Sequence, residues 1–89
     1  MCSKDDLVEG QVVKSISGRD KGRVFIIFEV LDDDMVRIVN GKLRGVEKPK
    51  LKKTKHLMVY KDILEGFYDE TLPASMNNSK IRNLLKSYE

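Results

Sequence analysis

The stretch "RVFIIFEV", residues 23–30, places the tightest constraint on what this chain can fold into. Val24, Ile26, Phe28 and Val30 alternate onto one face of a strand, while Phe25 and Ile27 make the opposite face apolar as well. A strand that is apolar on both faces needs two coverings, a core on one side and another element on the other. Both must come from 89 residues, which is room for one small domain with a modest core.

The flanking sequence supplies the rest of a sheet. "GQVVKSIS" (10–17) is rich in β-branched residues, lies between Gly10 and Gly18, and reads as a first strand. "LDDD" (31–34) breaks the apolar run with acidic turn-formers, and "MVRIVN" (35–40) resumes alternation, so the pair forms a hairpin. Asn40-Gly41 marks the next turn, because this dipeptide tolerates positive φ. A short fourth strand is expected near Leu43 to Lys48, ended by Pro49, and a fifth at "KHLMVY" (55–60). Five short strands joined by tight turns predict a mainly β fold over residues 10–60, a small and partly open barrel. Residues 1–9 read as a polar lead-in.

The C-terminal third has a different period. Residues 61–78 read as an irregular linker, with a short helix suggested at "KDILEGFYDE" but weakened by Gly66. In residues 79–89, Ile81, Leu84, Leu85 and Tyr88 recur at i, i+3, i+4 and i+7 behind an Asn/Ser cap. This predicts a C-terminal amphipathic α-helix, and Phe25 and Ile27 are the apolar patch it would cover.

The charge is mild in total and uneven in place. The net charge is +3, yet Gly41 to Lys61 carries eight cations against Glu47 alone, a local +7. Such asymmetry is the footprint of an anion-binding face. Catalytic chemistry finds little support. His56 is the single histidine and has no nucleophile beside it in the pattern. Asp32, Asp33 and Asp34 lack the alternating ligand spacing of a calcium loop, and "GRDKG" is too short for a phosphate loop. One cysteine, Cys2, allows no internal disulfide and fits a reducing cytoplasm, and with one histidine it makes no zinc site. Asp5 and Asp6 argue against a signal peptide, and no apolar run approaches membrane-spanning length. The expectation is a cytoplasmic, non-catalytic protein with no cofactor, metal, small-molecule substrate or membrane.

The basic residues form two groups. Arg19, Lys21 and Arg23 alternate across a turn bounded by Gly18 and Gly22. Lys42, Arg44, Lys48, Lys50, Lys52, Lys53 and Lys55, followed by His56, fall in the last loops of the same small sheet. If the sheet curls, both groups lie on neighbouring rims, with Gly18, Gly22 and Gly41 serving the turns. Tyr60 is the one aromatic in or beside the run, so contact with the backbone and shape of folded RNA is favoured over base stacking.

The stretch from "VVKSISGRDKGRVF" through "VNGKLRGVEKPKLKKTKHL" resembles the KOW domain, a small SH3-like barrel found in ribosomal and transcription-associated proteins. More specifically, it looks like the bacterial KOW-containing RNA-binding proteins related to the fourteen-e-type large-subunit ribosomal protein of archaea and eukaryotes. The likeness covers residues 8 to 60, and the "SKIRNLLK" helix is similar too. Many KOW motifs carry a second glycine two residues after the one at Gly22, where this chain has Val24. The resemblance implies that Gly22 holds the turn. It also implies that Arg19, Lys21, Lys42, Arg44, Lys48, Lys50, Lys52, Lys53, Lys55 and His56 contact RNA, in particular ribosomal RNA. Ribosomal proteins are further partners on this basis, and a monomer suffices. The alternative is a protein-interaction module that docks through an exposed face at Phe25 and Ile27.

Overall fold

A computed structural model describes residues 7–88 of the chain. Cys2, Asp5, Asp6 and most of the expected lead-in lie outside the described residues, as does Glu89 at the end of the expected helix. The doubly apolar stretch becomes β2 (Val24–Val30), the middle strand of a five-stranded antiparallel sheet. Its companions are β1 (Gln11–Ser15), β3 (Met35–Val39), β4 (Lys50–Lys53) and β5 (Leu57–Ile63). The order is β4-β3-β2-β1-β5, and a 3-10 turn at Thr54–His56 carries the chain from one edge strand to the other. Helix α1 (Ala74–Leu85) follows and ends in a further 3-10 turn, Lys86–Tyr88. The fold is therefore mainly β, a small barrel-like sheet with a C-terminal helix, as the strand spacing and the helical period predict. Among the described residues, no helix is long and apolar enough to cross a membrane.

Each face of β2 has its own covering. Phe25 and Ile27 lie in the curl of the sheet with Leu7, Val13, Val36, Ile38 and Leu57. Val24 and Ile26 form a second cluster on the outer face with Val12, Val39, Ile81 and Leu85. The helix thus covers Val24 and Ile26, whereas the sequence assigned it to Phe25 and Ile27. Strand alternation separates the two faces without saying which one curls inward. Pairing extends each face onto β3, with Ile27 beside Ile38 in the inner cluster and Ile26 beside Val39 in the outer one. All four residues named from β2, 24 to 27, are essentially inaccessible to solvent.

A bulge revises the end of the strand. The register of β2 on β3 shifts between Ile27 and Glu29, so Glu29 pairs with Arg37 and Val30 with Val36. One extra residue flips every side chain beyond it. Val30 therefore does not continue the face of Val24 and Ile26, and it is exposed. Phe28 packs at the margin of the helix-side cluster, edge-on to Phe67 and Tyr68 at centroid distances of 6.2 and 5.2 Å.

Three element boundaries differ from the sequence reading. The fourth strand begins at Lys50, after Pro49, and residues 43–48 form a looped excursion instead. Asn40 explains this: its Oδ1 accepts from the backbone N–H groups of Lys42 and Arg44, both at 3.0 Å. A side chain satisfies the backbone there and replaces a ladder. The fifth strand runs on to Ile63, and paired β structure occupies the start of the segment where a short helix was suggested. Helix α1 begins at Ala74, just after Pro73, so most of "TLPASMNN" is helical and not linker. Proline at a helix start gives up only an N–H that has no helical partner.

Asn77 and Asn78 do not cap this helix but lie buried within it. Asn77 Oδ1 accepts from Asp69 N at 2.8 Å, and its Nδ2 donates to Asp69 O at 2.9 Å. Asn78 Oδ1 accepts from Val46 N at 2.8 Å, and its Nδ2 donates to Glu47 Oε1 at 2.9 Å. That bond from Asn78 holds the Glu47 carboxyl below its usual range. One asparagine fastens the loop before the helix and the other the loop after β3. At the lead-in, Leu7 is buried in the inner cluster, so the chain enters the core before β1.

Candidate nucleic-acid interface

The alternating directions of β1 to β4 put the β1–β2 and β3–β4 connections at one end of the sheet. The acidic 31–34 turn lies at the other end. The two loops that carry most of the predicted basic residues therefore share an end of the sheet, a consequence of strand pairing alone.

The first loop, residues 16–23, is closed by its own backbone. Gly22 N donates to Ser15 O at 2.8 Å, Ser15 N to Arg23 O at 2.9 Å and Arg23 N to Asp20 O at 2.9 Å. Gly18 and Gly22 take φ of +79° and +90°, values that L side chains rarely adopt. With the backbone committed inward, Arg19, Lys21 and Arg23 are all exposed.

Two lysines fasten this loop to the opposite edge of the sheet. On β4, Lys50 and Lys52 pair with Ile38 and Val36, which places them on the inward side of the strand. Lys52 is buried, and its Nζ donates to Ser17 O at 3.2 Å. Lys50 forms an ion pair with Asp20, whose side chain is 13% exposed. The lysines thus close the seam between β4 and the β1–β2 loop, and inward-pointing charge also protects an edge strand from adding another chain. The hydrogen bond from Lys50 pulls the Asp20 carboxyl below its usual value, with help from the nearby charges of Lys50, Lys52 and Arg23 and against partial burial.

A carboxyl whose folded pKa is depressed contributes stability above its unfolded value, near 3.8, and loses it as pH falls through the lower folded value. Asp20→Asn is therefore expected to be less stable than the parent at neutral pH and to converge with it in acid, once pH falls below the lowered folded-state pKa of Asp20. Thermal melts across pH would show this. A constant gap between the two proteins from neutral to acid would rule out the ion pair as its source.

The other predicted residues divide by place. Lys42 and Lys48 are exposed and Arg44 half-buried, all on the β3–β4 loop. Arg44 O accepts from Asn40 N at 2.9 Å and Gly41 N at 3.0 Å, which closes that turn. Lys53 and Lys55 lie elsewhere, lining a depression of about 280 Å³ with Asp34, Met35 and Thr54. Thr54 ties them to the acidic turn, its N donating to Asp34 O at 2.8 Å and its Oγ1 to Asp33 O at 3.1 Å. His56 is half-buried, and its carbonyl accepts from Ile16 N, at the start of the first loop, at 2.9 Å. The linear run of lysines is thus split three ways: seam, shared basic end and acidic-turn end.

The acidic turn has its own structural role. Asp32 Oδ1 accepts from Asp34 N at 2.8 Å and Met35 N at 2.9 Å, and so shapes the hairpin. Among the described residues, no group of three or more His, Cys, Asp or Glu is placed to hold a metal ion.

The sequence reading missed the basic side chains of the helix. Arg82 Nη1 donates to Gly41 O at 2.6 Å, which puts a guanidinium beside the β3–β4 loop. The signal was present as Ser79, Arg82, Asn83 and Lys86, a polar stripe at i, i+3, i+4 and i+7. Comparison of the chain with protein-family models and with curated proteins finds no match.

Proposed function

We propose that this protein is a non-catalytic, cytoplasmic RNA-binding protein of the KOW type. It contacts structured RNA, ribosomal RNA above all, through the basic end of its sheet. The observation that carries this reading is the pairing of two loops at one end. Arg19, Lys21 and Arg23 are exposed on a loop that Lys50 and Lys52 hold in place, and Lys42, Arg44 and Lys48 lie on the loop beside it. A fixed loop presents its charges without a large ordering cost, and exposed Arg and Lys suit phosphate oxygens. The resemblance of residues 8 to 60 to KOW-containing RNA-binding proteins supports the same class of partner. Docking of a protein through Phe25 and Ile27 has no exposed surface to work with, since both are fully buried.

The test is binding to ribosomal RNA fragments across a salt series, by filter retention. Arg19, Lys21 and Arg23 are changed together to glutamine; Lys50 and Lys52 are left alone because their loss would loosen the loop as well. Affinity is expected to fall, and the log–log salt slope to shrink by about 2, at roughly 0.7 for each phosphate no longer neutralised. An unchanged slope with a folded variant would refute this interface.

A further inference from the structure

Helix α1 carries two stripes. Asn77, Asn78, Ile81 and Leu85 are buried against the sheet and its loops. The stripe of Ser79, Arg82, Asn83 and Lys86 instead meets the Asn40–Lys42 turn across a groove of about 330 Å³. Of the residues that line it on the helix side, Arg82 and Lys86 bring positive charge, and Ser79 and Asn83 bring a hydroxyl and an amide. Arg82 spends one N–H on Gly41 O, which fixes its guanidinium and leaves most of its five donors available. Lys86 follows one helical turn later, within about 6 Å between Cβ atoms.

We propose that this groove is a phosphate-binding site, which the sequence reading did not assign. A fixed guanidinium with an ammonium, a hydroxyl and an amide nearby offers donors from several directions. That arrangement suits a tetrahedral oxyanion, and arginine's planar fork can grip two of its oxygens. The groove borders the loop that carries Lys42, Arg44 and Lys48. On the RNA reading above, on which this source of phosphate rests, the group is a backbone phosphodiester. The RNA interface then continues from the sheet end onto the helix. A free phosphate is the other source of the same chemistry.

The full chain, labelled for amide NMR, is titrated separately with inorganic phosphate and with an RNA hairpin. Amide shifts at residues 40–42 and 79–86 are expected in both arms. Lys86→Gln, which leaves the Arg82 to Gly41 bond intact, should weaken both responses and reduce the RNA salt slope by about 0.7. Groove shifts with phosphate but no RNA binding anywhere would uphold the site and overturn the RNA reading. RNA shifts confined to residues 16–23, with no groove response to either probe, would overturn the site and leave the RNA reading standing. Silence in both arms would overturn the site as well.

Discussion

Gly41→Ala is expected to cost roughly 3–5 kcal/mol of stability, from left-handed strain together with overpacking. In a domain of this size that corresponds to a loss of more than about 12 °C in the unfolding midpoint. Two causes coincide at this residue. Its φ is +78°, and an added Cβ would sit 2.4 Å from Asn78 O and 2.9 Å from Arg82 Cγ. The closest neighbour is a backbone atom in the helix, so relief requires the helix to move away from the β3–β4 loop. That movement would break the Arg82 bond to Gly41 O and strain the Asn78 bonds to residues 46 and 47. Gly22→Ala is the matched comparison. Its φ is +90°, but an added Cβ meets nothing within 4 Å, so only backbone strain of about 1 kcal/mol is expected. Urea or thermal unfolding of the pair separates the two effects, and equal losses would contradict the close helix approach at Gly41.

Truncating either face of β2 should also be severe. Phe25→Ala and Ile26→Ala are each expected to cost about 2–5 kcal/mol, since both side chains are fully buried. Marginal stability makes that a large share of the total, which for such a domain is about 5–10 kcal/mol. A double-mutant cycle with Ile81→Ala tells the faces apart. Ile26 and Ile81 share one cluster while Phe25 belongs to the other. The Ile26/Ile81 pair should therefore couple by about 0.5–3 kcal/mol, and the Phe25/Ile81 pair should be nearly additive. Coupling in the reverse pattern would put the helix over Phe25 and Ile27 instead.

The reversed helix assignment shows how far the sequence reading reached. Period-two alternation in residues 24–27 established that both faces are apolar, and the 3.6 period at Ile81, Leu84 and Leu85 established a helix able to cover one of them. Matching one to the other depends on strand curvature and on partners far away in the chain, such as Ile38 and Val39. The misplaced fourth strand has a similar origin, because Asn40 and Asn78 satisfy the loop backbone through side-chain bonds that no periodicity reveals. Gly18, Gly22 and Gly41 were legible as turn residues because positive φ is a local demand. The helix side of the basic surface was not, since Arg82 becomes part of it only where α1 crosses the Asn40–Lys42 turn.

Local order was thus largely written along the chain: four of the five strands, the glycine turns at 18, 22 and 41, a terminal amphipathic helix and a surplus of positive charge after Gly41. These depend on residue type and near-neighbour spacing, which a sequence states directly. Tertiary structure alone decided what each cation does. Lys50 and Lys52 fall on the inward side of an edge strand and close a seam, while Lys53, one residue on, turns outward beside the acidic turn. Arg19, Lys21 and Arg23 are left exposed on the loop that the seam holds. The physical reason is strand parity combined with curl: alternation sets which side a lysine takes, and sheet closure sets what it finds there.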